Sequence, residues 1–306
     1  MTGRRAAAIL AGAIALTAGV SARQVFRTST DLVLLNVTVA DAAGHLVSGL
    51  NKEDFEVFED GVLQVVSNFS REPLPIALSI ALDTSTSMER KLAVAQEAAV
   101  GFVRRLGPRD VAQIIDFDSQ AQILQAFTND QAALEQAIRR TQAGGSTSLY
   151  NALYTAISEL KTVKGATPTE VRRQAVVALS DGEDTSSLVT FEDVLDLAKR
   201  SEVVVYTIGL RNKEELAING KWNEADYILK TLAQETGGRP FFVADVSQLP
   251  AIYGQIADEL GNQYSVGYIS KNIKHDGAWR KINVRVTRSN VVARTKSGYF
   301  APRDKR

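Results

Sequence analysis

The run Ile76-Ala77-Leu78-Ser79-Ile80-Ala81-Leu82 is almost wholly apolar, and it stops abruptly at Asp83-Thr84-Ser85-Thr86-Ser87. An apolar run of this length, with polar residues after it, reads as a strand buried on both faces, and such strands belong in a parallel sheet covered by helices. The oxygen-rich stretch then falls at the carboxyl end of a buried strand, where the binding loops of open α/β sheets converge. Asp83, Ser85 and Ser87 alternate, so a single loop can turn one carboxylate and two hydroxyls toward a common point. Hard oxygen donors of this kind suit Mg²⁺ or Mn²⁺.

The same alternation of apolar strand and helical pattern continues to about Leu260, which predicts an α/β fold with a mostly parallel sheet flanked by helices. Expected strands are Ile76 to Leu82, Val111 to Phe117, Ala121 to Gln125, Ala175 to Leu179, Val203 to Ile208 and Pro240 to Val243. Expected helices are Glu89 to Leu106, Gln131 to Thr141, Leu149 to Val163, Phe191 to Lys199, Asn223 to Glu235 and Val246 to Glu259. Thr190 and Asp245 suit helix caps, and Gly237-Gly238 suits a helix stop.

Either side of this segment the periodicity changes to two. Val33-Leu35-Val37-Val39 alternates, Phe55-Val57-Phe58 runs into the turn Glu59-Asp60-Gly61, and Leu63-Val65-Val66 returns before Pro73 and Pro75. Beyond Gly261, Tyr264-Val266-Tyr268, Ile282-Val284-Val286 and Tyr299-Phe300 again read as strands. Strands of this type do not extend a parallel sheet, so the two ends of the chain are expected to pair with each other. The expected division is a leader over 1–22, an N-terminal β segment over 23–72, the α/β domain over 73–260 and a C-terminal β segment over 261–306 that pairs with 23–72.

Composition narrows the function. The 35 basic and 35 acidic side chains cancel, and no basic stripe interleaved with aromatics is present, which argues against nucleic acid as a partner. Absence of cysteine removes disulfides, thiol catalysis and thiolate-held zinc. The two histidines, His45 and His275, lie in glycine-containing turns and read as solvated turn residues. At the amino terminus Arg4-Arg5 precedes the apolar stretch Ala6 to Val20 and the small-residue site Val20-Ser21-Ala22, the pattern of a cleaved secretory signal. Its apolar run is shorter than the ~20 residues of a membrane-crossing helix, so the mature chain is expected to be secreted or periplasmic, without a membrane span.

The Asp83-Thr84-Ser85-Thr86-Ser87 loop resembles the metal-ion-dependent adhesion site of von Willebrand factor A domains, a D-x-S-x-S loop completed by a threonine and an aspartate further along the chain. The resemblance implies a Rossmann-like fold and five site residues: Asp83, Ser85, Ser87, Thr147 in Ala143-Gly144-Gly145-Ser146-Thr147, and Asp181 after the strand that ends at Ser180. By the same resemblance, Ser85 and Ser87 ligate directly, Thr147 ligates when an acidic ligand is held, and Asp83 and Asp181 act partly through water. Thr147 is preferred to Ser146 for its spacing to Leu149-Tyr150. Gly144-Gly145 would let the backbone approach closely, and Gly182 would turn the chain after Asp181. Asp116, Asp118, Glu183 and Asp184 read as turn and rim residues. Asn36-Val37-Thr38 and Asn68-Phe69-Ser70 are glycosylation sequons only in a eukaryotic secretory setting.

The flanks, through Leu46-Val47-Ser48-Gly49-Leu50, Glu53 to Gly61 and the tail from Gln263-Tyr264 to Gly298-Tyr299-Phe300, are similar to the VWFA-related family abundant in acidobacterial genomes. These resemblances imply an extracytoplasmic adhesion module, not an enzyme, whose metal binds a protein partner through that partner's acidic side chain. Two alternatives stand beside it: a structural envelope-assembly module with an unused metal site, and a metal-dependent hydrolase. The hydrolase would need a second metal or a general base near the metal; the motif loops carry no histidine, cysteine or lysine for that role, which leaves carboxylates such as Asp118 or Glu183 to serve.

Overall fold

The computed structural model describes residues 32–163, 165, 171–181, 183–211 and 224–303. The leader 1–22, residues 23–31, Gly182 and Asn223 lie outside the described residues. The N-terminal flank forms β1 (Leu32–Asp41), β2 (Phe55–Glu59), β3 (Val62–Gln64) and β4 (Val66–Ser70). The α/β segment contributes β5 (Ile76–Asp83), α1 (Leu92–Val103), β6 (Val111–Phe117), β7 (Ala121–Thr128), α2 (Gln131–Arg139), α3 (Leu149–Leu160) and β8 (Arg173–Ser180). It continues with α4 (Phe191–Ser201), β9 (Val204–Leu210), α5 (Glu224–Thr236), β10 (Pro240–Val243) and α6 (Leu249–Gly261). The tail gives β11 (Tyr264–Ile269), β12 (Trp279–Val286), β13 (Val291–Arg294) and β14 (Gly298–Phe300).

The apolar run before Asp83 takes the centre of a six-stranded sheet ordered β10-β9-β8-β5-β6-β7, parallel except for β7. Its side chains split by parity, as a strand's must. Leu78, Ile80 and Leu82 pack under α1, α2 and α6, whereas Ala77 and Ala81 pack under α3, α4 and α5. The predicted cap at Thr190 is a capping box with Asp193, and Asp245 accepts the Ser247 amide (2.9 Å). Helix α1 begins at Leu92 rather than Glu89, because Thr86–Met88 folds into a 3-10 turn that plants Met88 in the core. β7 runs three residues further than its alternation suggested, following β6 as an antiparallel edge.

The flanking strands make two four-stranded antiparallel sheets, β13-β1-β11-β4 and β14-β12-β2-β3. Each mixes strands from both ends of the chain: β1 pairs with β11, and β2 with β12. Their apolar positions share one core that includes Val33, Leu35, Val37, Phe55, Val57, Tyr264, Val266, Ile282 and Val284. That core also encloses Glu59, whose carboxylate accepts from Tyr268 (2.8 Å), Tyr299 (3.0 Å) and Ser270 (2.6 Å) and pairs with buried Arg280 (3.3 Å).

The two parts meet at the amino-terminal end of the parallel strands. Arg173, at the start of β8, donates to the carbonyls of Leu260 (3.0 Å) and Gln263 (2.8 Å) where α6 ends. A cation there also suits the negative end of the helix dipole, although burial lowers the guanidinium to about 10. Glu259 of α6 pairs with Arg239 before β10 and with Arg294 of β13.

Candidate functional site

Three loops meet at the carboxyl end of the sheet. The loop after β5 is anchored at both of its peptide edges: Thr84 donates its amide to Phe117 O (2.9 Å) and its carbonyl accepts from Gly144 N (2.8 Å). Thr86 sends both its amide (3.2 Å) and its hydroxyl (2.9 Å) to Gly145 O. The loop before α3 is in turn bound to the loop after β8. Thr147 donates its amide to Thr185 Oγ1 (3.1 Å), and its carbonyl accepts from the amides of Thr185 (2.8 Å) and Ser186 (3.1 Å). Asp184 fastens the same loop to the start of α3, accepting from Tyr150 N (2.8 Å) and Ser187 Oγ (2.6 Å).

This stitching brings four of the five predicted side chains into one connected chain of hydrogen bonds. Asp83, fully buried, accepts from Ser85 N on Oδ1 (2.9 Å) and from Ser180 Oγ on Oδ2 (2.6 Å). Ser85 Oγ lies 2.9 Å from Ser87 Oγ, and Ser87 Oγ donates to Asp181 Oδ1 (2.6 Å). Thr147, 6% exposed, is buried in the loop before α3, and among the described residues no hydrogen bond from its hydroxyl joins it to that chain. Ser146 points outward, exposed, with its amide on Ser119 Oγ (3.1 Å). Of the two glycines only Gly145 is demanded by geometry: its φ is +72°, and a Cβ would come within 2.5 Å of Ser119 Oγ, whereas one at Gly144 meets open space.

Electrostatically the cluster is unfinished. Burial pushes the Asp83 carboxyl above its usual range against the pull of the hydrogen bonds from Ser180 and Ser85, with the nearby Asp181 charge adding to the rise. Burial and neighbouring Asp118 likewise raise Asp116, whose Oδ1 is buried without a hydrogen-bond partner. Among the described residues no three His, Cys, Asp or Glu side chains gather closely enough to cage a metal. A cation here would therefore depend on hydroxyls, two carboxylates and water, an all-oxygen donor set suited to Mg²⁺ or Mn²⁺. A buried carboxylate held above its ordinary range, beside two serine hydroxyls and a second carboxylate, fits such an ion.

Two participants were not visible in the motif. Ser180 precedes Asp181 in a strand whose alternation turns it inward, so its hydroxyl reaches Asp83. Lys91, four residues after Ser87, corrects the expectation that the motif loops carry no lysine: it ends the loop after β5 and pairs its ammonium with Asp181 Oδ2. Read along the chain it is one of two adjacent basic residues in the first turn of the helix expected from Glu89, a pattern that suggests solvent.

The family model for the von Willebrand factor type A domain matches residues 78–255, more than half of the chain. A UPF0353 protein of Mycobacterium leprae is 27% identical over 231 residues, covering 68% of this chain; the chain spans 65% of that relative's length. Among solved structures, a von Willebrand factor type A protein of Catenulispora acidiphila superposes with a TM-score of 0.51 at 13% identity, covering 91% of this chain and 76% of its own. A BatB protein of Bacteroides thetaiotaomicron gives 0.46 at 19% identity over 60% of this chain and 98% of its own. The chain belongs to the von Willebrand factor type A domain family.

Proposed function

We propose that this protein is an extracytoplasmic protein-binding module in which Asp83, Ser85, Ser87, Thr147 and Asp181 hold one Mg²⁺ or Mn²⁺. The observation that carries this reading is the run of hydrogen-bonded oxygens that joins the loop after β5 to the end of β8, Ser180–Asp83 and Ser87–Asp181 each at 2.6 Å. Ser85 and Ser87 would bind the ion directly, Asp83 and Asp181 would orient its waters, and Thr147 would join when a ligand enters. The ion supplies a Lewis-acidic position with an exchangeable water that a partner's carboxylate can take. The chain's own residues fix that position: the loops are mutually hydrogen-bonded, so the site is organised before a ligand arrives. The leader-like amino terminus supports export, and among the described residues no helix is long and apolar enough to cross a membrane.

The test is thermal unfolding of chelator-stripped protein titrated with Mg²⁺ or Mn²⁺, beside Ser85→Ala. At ~100 times the dissociation constant the ion adds about 2.7 kcal/mol to stability. A wild-type shift that Ser85→Ala lacks supports the reading. No shift in either protein refutes it and favours a structural module. Thr147→Ala is expected to weaken acidic-partner binding more than metal binding, and equal loss of both would contradict its ligand-dependent role.

A further inference from the structure

Lys91 stands where no motif places a residue, yet it touches the cluster directly. Its ammonium lies on Asp181 Oδ2 while Ser87 holds Oδ1 of the same carboxylate. The Asp181 side chain is 1% exposed and that of Lys91 only 25%. The contact is prepared by the backbone: Lys91 N donates to Met88 O (2.8 Å) at the end of the 3-10 turn, immediately before α1. The side chain therefore leaves the same loop that carries Ser85 and Ser87, from a backbone already held by that turn.

We propose that Lys91 sets the affinity and the ligand charge preference of this metal site, acting as a tethered monovalent cation that shares Asp181 with the divalent ion. The inference rests on the metal-site reading above and extends it. Two carboxylates face the site, and Lys91 neutralises one of them. A divalent ion arriving meets one net negative charge rather than two and is repelled by the ammonium, so it is held more weakly. Once bound, the ion leaves the cluster with a net positive charge, whereas without Lys91 the cluster would be neutral. The same side chain thus weakens metal binding and strengthens the pull on an incoming carboxylate. Both effects follow from one charge, and they carry opposite signs.

The experiment measures Mn²⁺ binding to the whole chain by electron paramagnetic resonance for wild type, Lys91→Met, Lys91→Gln and Lys91→Arg. Acetate is then titrated into the Mn²⁺-loaded proteins and loss of metal-bound water is read from water-proton relaxation. The neutral variants are expected to bind Mn²⁺ about tenfold or more tightly than wild type, and to need more acetate to lose the bound water. Lys91→Arg is expected to stay near wild type. Should Lys91→Met not fold, Lys91→Gln carries the same charge change with a polar side chain that can still reach Asp181. Mn²⁺ binding equal to or weaker than wild type in the folded neutral variants overturns this inference while leaving the metal site standing, because a purely structural lysine would lower affinity when removed. Absence of Mn²⁺ binding in every protein, wild type included, overturns the metal-site reading and this inference with it.

Discussion

Replacing Glu59 by leucine tests how the β sandwich is held together. The carboxylate is 2% exposed and receives Tyr268, Tyr299, Ser270 and Arg280. Arg280 is 3% exposed; it keeps its bonds to Ser270 Oγ (3.0 Å) and Asn272 O (2.6 Å) but loses its carboxylate partner. Removing one member of a buried ion pair costs about 3–5 kcal/mol, because the remaining charge is uncompensated. The two tyrosine hydroxyls each lose an acceptor worth about 1 kcal/mol net, but these losses overlap with repacking, so the total stays within about 3–5 kcal/mol. In a domain of this size each kcal/mol moves Tm by roughly 2–4 °C, which predicts a drop of roughly 6–20 °C in calorimetry. The double variant Glu59→Leu/Arg280→Met removes both charges and should recover at least half of that loss. A single variant that loses less than about 1 kcal/mol, or a double variant no more stable than the single, would show that the pair does not hold the sandwich and refute the argument.

Asp83→Asn should raise the Tm of metal-free protein at pH 7 and abolish any metal-induced shift. The sign follows from the raised carboxyl: the fold binds this proton more tightly than the unfolded chain does, so Asp83 penalises the fold above its raised pKa. That penalty fades as pH falls through the raised pKa toward the ordinary 3.8, and the Tm gap between Asp83→Asn and wild type should close over the same window; a gap independent of pH contradicts the assignment. Gly145→Ala forces a side chain into positive φ against Ser119 and should cost about 1–3 kcal/mol, whereas Gly144→Ala, facing open space, should be nearly neutral in the same denaturant titration. Equal effects at the two glycines would mean that the close approach at Ser119 is not what fixes the loop.

The parallel core was legible because burial on both faces leaves a distinctive record, an unbroken apolar run ended by loop residues. The positions of the candidate site were legible for a related reason: the motif residues sit at strand ends, so locating β5 and β8 locates Asp83 and Asp181. What could not be read were partnerships over long sequence separation. Alternation assigns Val33, Leu35 and Val37 to one face of a strand but does not name the strand beside it, and β1 finds β11 more than 200 residues later. Glu59 illustrates the same limit. Beside Asp60-Gly61 it reads as a turn residue, and its burial depends on an arginine 221 positions away. Lys91 was hidden differently, since a lysine in the first turn of an expected helix is ordinarily solvated and only the 3-10 turn that delays α1 to Leu92 leaves it at Asp181.

The placement of the sandwich follows from the ends of the α/β segment. β4, which leads into it, and β11, which leads out, are antiparallel neighbours in one sheet, so the segment leaves and re-enters the sandwich at a single edge. Only two residues, Asn262 and Gln263, separate the end of α6 from β11, and Arg173 and Glu259 tie that end to β8, to Arg239 just before β10, and to β13. All of these ties lie at the amino-terminal end of the parallel strands. β5 then runs through the core to Asp83 at its far end, about 23 Å away for seven strand steps. The sandwich is thus tied to the α/β segment at the end opposite the loops that carry Ser85, Thr147 and Asp181. That placement suits the proposed metal-centred docking site, because the ties to the sandwich lie at the other end of the sheet.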